Sequence, residues 1–297
     1  MSRHSFWGSR CVIPRFQRER IPLPKFKSHL HRQKGHSWRD SCYVILKDTH
    51  SFKRIHLCTL NRFPQFGPGK LPQHGFARNS FWTLSQAPAF NSASNTTTAE
   101  LVLRDTSDTY AVWPHHFELK LRLELHPAKL VMELCCTNTD AAPFEFTGAL
   151  HTYFRVPDIR RISISGKELE KCKFVAYEDM GDGIPPGTVR KQGKDEIVLN
   201  GYLDRNYFDA PESMKVVDED SASVVVEVVK SCGFGDCVVW NPWKEKADAM
   251  NDMGLDEWLR FVCIEAAAVG NPVKLDPGKS WVASQTVSGS VLPHPKL

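Results

Sequence analysis

Two ionisable residues stand alone in apolar runs, and together they have the types that proton transfer requires. His151 lies in Phe-Thr-Gly-Ala-Leu-His-Thr-Tyr-Phe (146–154) and Glu265 in Phe-Val-Cys-Ile-Glu-Ala-Ala-Ala-Val (261–269). Such neighbours predict burial, and a buried ionisable group needs a hydrogen-bond partner or a shifted pKa. An imidazole and a carboxylate can act as the acid that gives a proton and the base that takes one. Either residue alone is more often a satisfied structural group, since perturbed groups cluster at functional sites only statistically. The surroundings decide between the two readings.

Three further stretches concentrate useful side chains. The first is Phe63-Pro64-Gln65-Phe66-Gly67-Pro68-Gly69-Lys70-Leu71-Pro72-Gln73-His74-Gly75-Phe76-Ala77-Arg78-Asn79. Its Pro and Gly content makes it a loop, and loops on a rigid scaffold are where binding residues gather. Gln73 and His74 can pair with hydroxyls, and Arg78 can grip a phosphate or carboxylate with two parallel bonds. The same polar groups can also simply tie the loop to itself. The second stretch is Gly201-Tyr202-Leu203-Asp204-Arg205-Asn206-Tyr207. There a carboxylate between aromatics suits adjacent sugar hydroxyls, although an Asp204–Arg205 surface turn is the plainer reading. The third is Val239-Trp240-Asn241-Pro242-Trp243, a stacking platform or, as tryptophans more often are, core. The chain has no Gly-rich phosphate loop, no Gly-x-Ser-x-Gly elbow and no His-Glu-x-x-His pair.

The elements that must position these residues read as strands. Phe117–Leu125 alternates apolar and charged residues without a break, the pattern of an antiparallel strand with one face on a core. Lys129–Cys136 and Ser223–Val229 are similarly rich in apolar or β-branched residues. Turn signals fall between the runs at Pro127, Pro157-Asp158, Gly181-Asp182-Gly183, Pro185-Pro186-Gly187, Asn200-Gly201 and Pro277-Gly278. This spacing predicts an all-β array, a sandwich or a barrel, rather than βαβ units. Short helical turns are expected within Lys244–Trp258, and Ser92–Thr98 reads as a polar loop.

With 297 residues, 41% of them hydrophobic, the chain can bury a sizeable core as one large β domain or two ordinary ones. No apolar stretch approaches the ~20 residues of a membrane span, and no secretory signal is expected at the N-terminus. Nine cysteines without regular spacing argue against a zinc site or a disulfide framework and for free thiols in a reducing compartment. Residues 1–60 hold 13 Lys and Arg against 3 acids, although the whole chain carries only +4. The body is therefore acidic on balance, and nucleic-acid binding by it is not expected. The leader lacks sustained periodicity apart from Cys42–Leu46, where a short strand is expected. It reads as a poorly ordered basic leader, an organellar transit peptide or an interaction arm. The expected division is this leader over 1–60, a β domain over 61–290 and a tail over 291–297.

Taken in order, several motifs resemble one family. Pro72-Gln73-His74-Gly75-Phe76-Ala77-Arg78-Asn79, Ala149-Leu150-His151-Thr152-Tyr153-Phe154, Tyr202-Leu203-Asp204-Arg205, Trp240-Asn241-Pro242-Trp243 and Val262-Cys263-Ile264-Glu265-Ala266-Ala267 look like the signatures of hexose-6-phosphate mutarotases. This is the glucose-6-phosphate 1-epimerase branch of the aldose 1-epimerase (galactose mutarotase-like) superfamily. The similarity spans roughly residues 63–287. It implies a large antiparallel β-sandwich with a few short helical turns, and a sugar lying in a cleft across one sheet.

The resemblance also implies roles. His151 falls at the general acid and Glu265 at the general base, while Gln73, Arg78, Asp204 and His74 fall at substrate-binding positions. Arg78 is then the candidate for the phosphate and Asp204 for sugar hydroxyls. The implied reaction opens and recloses the pyranose of glucose 6-phosphate and needs no metal, redox cofactor or nucleotide. It further implies a cytoplasmic monomer whose partner is a small hexose 6-phosphate, with an organellar site if the leader is a transit peptide. The chain departs from the family upstream of Phe63. Where an Arg-Gly-Gly-Ile-Pro run is usual, His56 occupies the arginine's position, and Arg54 and Arg62 are out of register with it. A non-catalytic sugar-phosphate-binding protein, or a defective member with altered N-terminal strands, is the alternative that this departure raises.

Overall fold

The computed structural model describes residues 46–47, 52–53 and 58–289, except 232 and 251–252. In chain order its strands are β1 (Leu46–Lys47), β2 (Phe52–Lys53), β3 (Cys58–Arg62), β4 (Thr83–Asn91), β5 (Thr96–Arg104), β6 (Phe117–Leu125), β7 (Lys129–Asn138), β8 (Phe144–Arg155) and β9 (Ile162–Ser165). They continue with β10 (Lys173–Ala176), β11 (Val189–Lys191), β12 (Glu196–Val198), β13 (Leu203–Phe208), β14 (Ser213–Asp218), β15 (Ser223–Lys230), β16 (Asp236–Asn241), β17 (Phe261–Leu275) and β18 (Ser280–Gly289). Two short helices interrupt them, α1 (Ser107–Val112) and α2 (Trp243–Ala247).

These strands form two large antiparallel sheets. One has the order β11-β10-β13-β16-β17-β8-β3, the other β12-β9-β14-β15-β18-β7-β6-β5-β4, and β1 pairs with β2 alone. The all-β sandwich expected from alternation and turn spacing is what the chain adopts. The alternating Phe117–Leu125 is strand β6 and pairs along its whole length with β7, from Phe117↔Asn138 to Leu125↔Leu130.

Strands β8 and β17 read differently because both of their faces are covered. Residues 146, 150, 154, 262, 264 and 266 join the main core with Leu119, Met132 and Leu134 of the other sheet. Gln285 of β18, wholly buried, bridges the sheets. Its Nε2 donates to Thr152 Oγ1 at 2.7 Å and its Oε1 accepts from the Ala266 N–H at 3.2 Å. A polar group in a core is tolerable when both ends are satisfied in this way.

Some boundaries differ from the sequence reading. Cys58–Arg62 is a strand of the seven-stranded sheet, paired with β8 through Leu60↔His151 and Arg62↔Ala149. It lies just ahead of the motif at 63 where the sequence pattern first turns to strands. The polar stretch Ser92–Thr98 is only half loop. Residues 92–95 form the turn between β4 and β5, tightened by the Asn91 carboxamide accepting from Ala93 N–H at 2.9 Å, and 96–98 are already paired. The helical turns expected in Lys244–Trp258 are α2 and a 3-10 turn, Glu257–Arg260. Of the strand expected at Cys42–Leu46, only Leu46 falls within the described residues, in β1. Of the leader expected over 1–60, only 46–47, 52–53 and 58–60 are described, the last as part of β3, and residues 290–297 lie outside the described residues.

Candidate active site

Side chains alternate across a strand, so register decides which residues share a face. Tyr153 of β8 is opposite Cys263 of β17, and Leu150 opposite Ala266. This sets Glu265 beside His151 on one face. Glu265 in turn faces Val238 of β16, and Val238 faces Asn206 of β13. One row therefore runs His151, Glu265, Val238, Asn206 across the sheet. The neighbouring row holds Tyr153, Cys263, Trp240 and Asp204. This is the face turned away from the main core. Its floor is small, since Ala149, Val238 and Ala267 form a separate apolar patch with Phe66 and Val269 packed against it.

His151 Nε2 lies 3.3 Å from Glu265 Oε1, and both side chains are almost wholly buried. Burial pushes the Glu265 carboxyl up to about 8, with buried Arg62 pulling back and Asp204 adding to the rise. Burial also drives His151 well below the ordinary histidine range, helped by the charges of Arg62 and Arg78. One proton thus sits between the two groups, on the carboxyl in the resting site. His151 Nδ1 and Glu265 Oε2 are buried without a hydrogen-bond partner among the described residues. Unused polar capacity of that kind is costly, and it points to something that binds. Tyr153 stacks on the imidazole at 4.7 Å and 9°, and Trp240 meets it edge-on at 5.9 Å, fixing the ring plane.

The loop at 63–79 closes one end of this face. Phe63 anchors it, fully buried among Phe76, Trp113, Phe117 and Phe146 at ring distances of 5.1–6.2 Å. Gly75 has φ +68°, and a Cβ there would sit 2.2 Å from the Phe63 carbonyl oxygen, so only glycine fits. Gln65 serves the loop itself, donating to the Gly67 and Leu71 carbonyls and accepting from the Leu71 N–H. His74 Nδ1 accepts from the Gly67 N–H at 3.2 Å, which leaves the ring's proton on Nε2. Burial and the charges of Arg62 and Arg78 lower its pKa to about 3, so His74 is a neutral hydrogen-bond donor and not a proton source. Arg78 is exposed, with Nη2 donating to the Gln73 carbonyl at 3.0 Å. Gln73 itself is exposed.

At the other end, Asp204 lies in strand β13 and not in a surface turn. Tyr202 Oη donates to Asp204 Oδ2 at 2.9 Å, and Lys246 Nζ stands 4.5 Å over the Tyr202 ring. Burial raises the Asp204 carboxyl to about 6. Behind it, Glu178 accepts from the Asp204 N–H at 3.2 Å and pairs with Arg205, fixing the strand. The two tryptophans of the third motif divide their labour. Trp240 belongs to the site's aromatic wall with Tyr153 and Phe261, while Trp243 packs on Trp258 at 4.8 Å beside the core. Asn241 is a clamp, its Nδ2 donating to the Trp258 and Phe261 carbonyls and its Oδ1 accepting from the Trp243 N–H.

The residue that sequence reasoning set aside is Arg62. It is only 4% exposed, shares the His151 face through its pairing with Ala149, and is the foremost charge acting on His74, Arg78, His151 and Glu265. The one available signal was its place two residues before a buried-looking Pro-Gln-Phe turn, at the end of a strand whose pattern is too short to read. His56, at the position of the missing arginine, lies outside the described residues. The face is thus cationic at its β3 end and acidic at its β13 end, with an acid/base pair between. At about 4.8 Å per strand the two ends are roughly 19 Å apart, which suits an anionic, polyhydroxylated molecule lying across the sheet. Among the described residues no group of three or more His, Cys, Asp or Glu is placed to hold a metal ion.

Comparison with known proteins gives a consistent picture. The family model described as aldose 1-epimerase matches residues 59–288. A protein of Cenchrus ciliaris with the provisional name glucose-6-phosphate 1-epimerase is 38% identical over 224 residues, covering 73% of this chain and 65% of its own length. The chain thus spans just under two thirds of that relative. A protein of Escherichia coli strain K12 with the same provisional name is 28% identical over 232 residues, covering 76% of this chain and 71% of its own length. Among solved structures, a protein of Salmonella typhimurium provisionally named a mutarotase superposes with a TM-score of 0.65 at 25% identity, over 84% of this chain and 79% of its own. A galactose mutarotase related enzyme of Lactobacillus acidophilus, at 17% identity and a TM-score of 0.60 over 83% and 86% of the two chains, shares the fold.

Proposed function

This chain belongs to the aldose 1-epimerase family, and we propose that it interconverts the α and β anomers of glucose 6-phosphate and related hexose 6-phosphates. The observation that carries the reading is the buried His151–Glu265 contact at 3.3 Å on a face with cations at one end and a carboxylate at the other. The relatives' provisional names supply the phosphorylated sugar.

Glu265 takes the proton from the anomeric hydroxyl while His151 gives one to the ring oxygen. The C1–O5 bond breaks, C1 becomes an aldehyde, and rotation about C1–C2 turns its other face toward O5. Closure runs the same transfers backwards and yields the opposite anomer. The working form, carboxylate with imidazolium, holds as many protons as the resting form, carboxyl with imidazole. Passing one proton across the 3.3 Å contact converts one into the other. A phosphate dianion at Arg78, with buried Arg62 behind it, offsets the positive charges that disfavour imidazolium. His74 Nε2–H donates to an oxygen near the ring, Asp204 accepts from sugar hydroxyls, and Gln73 holds the loop end of the cleft. A cytoplasmic monomer is the setting we propose.

Arg78→Ala tests the phosphate assignment. Its anomerisation of glucose 6-phosphate should fall roughly ten- to a hundredfold in kcat/KM, the equivalent of one charge-assisted hydrogen bond, and its action on free glucose should barely change. Equal losses on both sugars would remove Arg78 from the phosphate site.

A further inference from the structure

The row that carries His151 and Glu265 ends in a side chain the mechanism does not use. Asn206 is 6% exposed, and its Oδ1 is buried with no hydrogen-bond partner among the described residues. Its register settles its face: Asn206 is opposite Val238, which is opposite Glu265. It also lies two residues from Asp204 on the same strand, so the two side chains leave the same face about 7 Å apart. A buried carboxamide with an unmet acceptor, on the face that carries the acid/base pair, is costly for the fold. Nothing in the core needs it there. The opposite face of the strand buries Leu203 and Tyr207 in the core without help from Asn206.

We propose that Asn206 is a specificity-determining residue that binds a hydroxyl on the C2–C3 edge of the hexose. The inference rests on the reading of the site as a hexose 6-phosphate anomerase. With the phosphate at the β3 end, and O5 and C1 over β8 and β17, ring geometry directs the rest of the sugar. C2 lies opposite C5 and C3 opposite O5, so the edge farthest from C6 points toward β16 and β13. Between Glu265 and Asn206 in this row stands only Val238, whose short side chain offers a sugar no competing polar group. Two strand spacings, about 10 Å, separate the Glu265 and Asn206 backbones. A pyranose with its hydroxyls bridges that distance once both side chains reach in. The carboxamide offers either an acceptor or an N–H to a hydroxyl, so it complements Asp204, which only accepts when ionised.

The test pairs a deletion in the protein with deletions in the sugar. Wild type, Asn206→Ala and the similarly sized but apolar Asn206→Leu are assayed by exchange NMR on glucose 6-phosphate, 2-deoxyglucose 6-phosphate and 3-deoxyglucose 6-phosphate, with a thermal melt of each protein. Asn206→Ala should lower kcat/KM on glucose 6-phosphate by roughly three- to tenfold, the equivalent of one neutral hydrogen bond. On one of the two deoxy sugars, variant and wild type should agree within about twofold, because the contact is already gone. A structural role would instead depress all three substrates alike and lower the melting temperature. That uniform loss, or no loss on glucose 6-phosphate, overturns the assignment of Asn206 alone. If Asn206→Ala does not fold, Asn206→Leu, similar in size and without a polar group, carries the same comparison. A folded wild type that accelerates none of the three sugars overturns the anomerase reading and this inference with it.

Discussion

Replacing Glu265 by glutamine removes a titratable proton and almost no volume, and the structure sets catalysis and stability against each other at that carboxyl. Glu265 is 2% exposed, and burial raises its pKa from the ordinary 4.5 to about 8. Between those two values the folded chain holds a proton that the unfolded chain has shed, so stability is lost as pH rises through the window. Each pH unit corresponds to about 1.4 kcal/mol, and the span of roughly three and a half units to about 5 kcal/mol once pH exceeds 8. Glutamine does not titrate and escapes this cost. Glu265→Gln should therefore be inactive and, at pH 8, more stable than wild type by several kcal/mol. The advantage should shrink steadily as pH falls and vanish near pH 4.5. Urea unfolding of both proteins at half-unit steps from pH 5 to 9 measures the difference directly. A difference independent of pH, or a variant less stable than wild type at pH 8, would refute the burial of an uncompensated carboxyl in this site.

Other outcomes follow from the same geometry. His151→Asn should keep the fold and lose roughly 10²–10⁴-fold in kcat, seen by exchange NMR beside a far-ultraviolet circular dichroism spectrum. Arg62→Met should raise KM for glucose 6-phosphate about ten- to a hundredfold, measured by initial rates. Because Arg62 holds the Glu265 carboxyl down, the same variant should move the alkaline limb of kcat/KM to higher pH. In wild type that limb should lie near pH 8, where the acid/base pair gives up its single proton. In the proposed role Asp204 accepts from sugar hydroxyls most strongly as a carboxylate, and its pKa is raised to about 6. Activity should therefore fall as pH drops through 6, and Asp204→Asn should lower the rate above pH 6 while flattening that acid limb.

What the sequence made legible were features carried by local pattern. The strand β6 was visible because charges and apolar residues alternate over its whole length, and His151 and Glu265 because each interrupts an apolar run. That these two meet was not visible locally, since their contact depends on the pairing of β8 with β17 between distant segments. Arg62 was harder. It closes a five-residue strand in a basic, irregular stretch, and its importance comes from burial beside the acid/base pair, which no spacing expresses. Asp204 resembled a turn because Asp-Arg-Asn is turn-like in composition, whereas in the fold tyrosine and glutamate partners make it a strand residue. Trp240 and Trp243 show the same limit, since two identical side chains around Asn-Pro serve the cleft and the core respectively.

The most direct test of the central claim is the exchange rate between the two anomers of glucose 6-phosphate, measured by magnetisation-transfer NMR with the purified 297-residue chain. Free glucose and galactose serve as parallel substrates. Acid/base ring opening at His151 and Glu265, with the phosphate held near Arg62 and Arg78, predicts strong acceleration of the phosphorylated sugar and little of the other two. A folded protein that leaves the glucose 6-phosphate rate at its uncatalysed value, or that accelerates all three sugars equally, would contradict it.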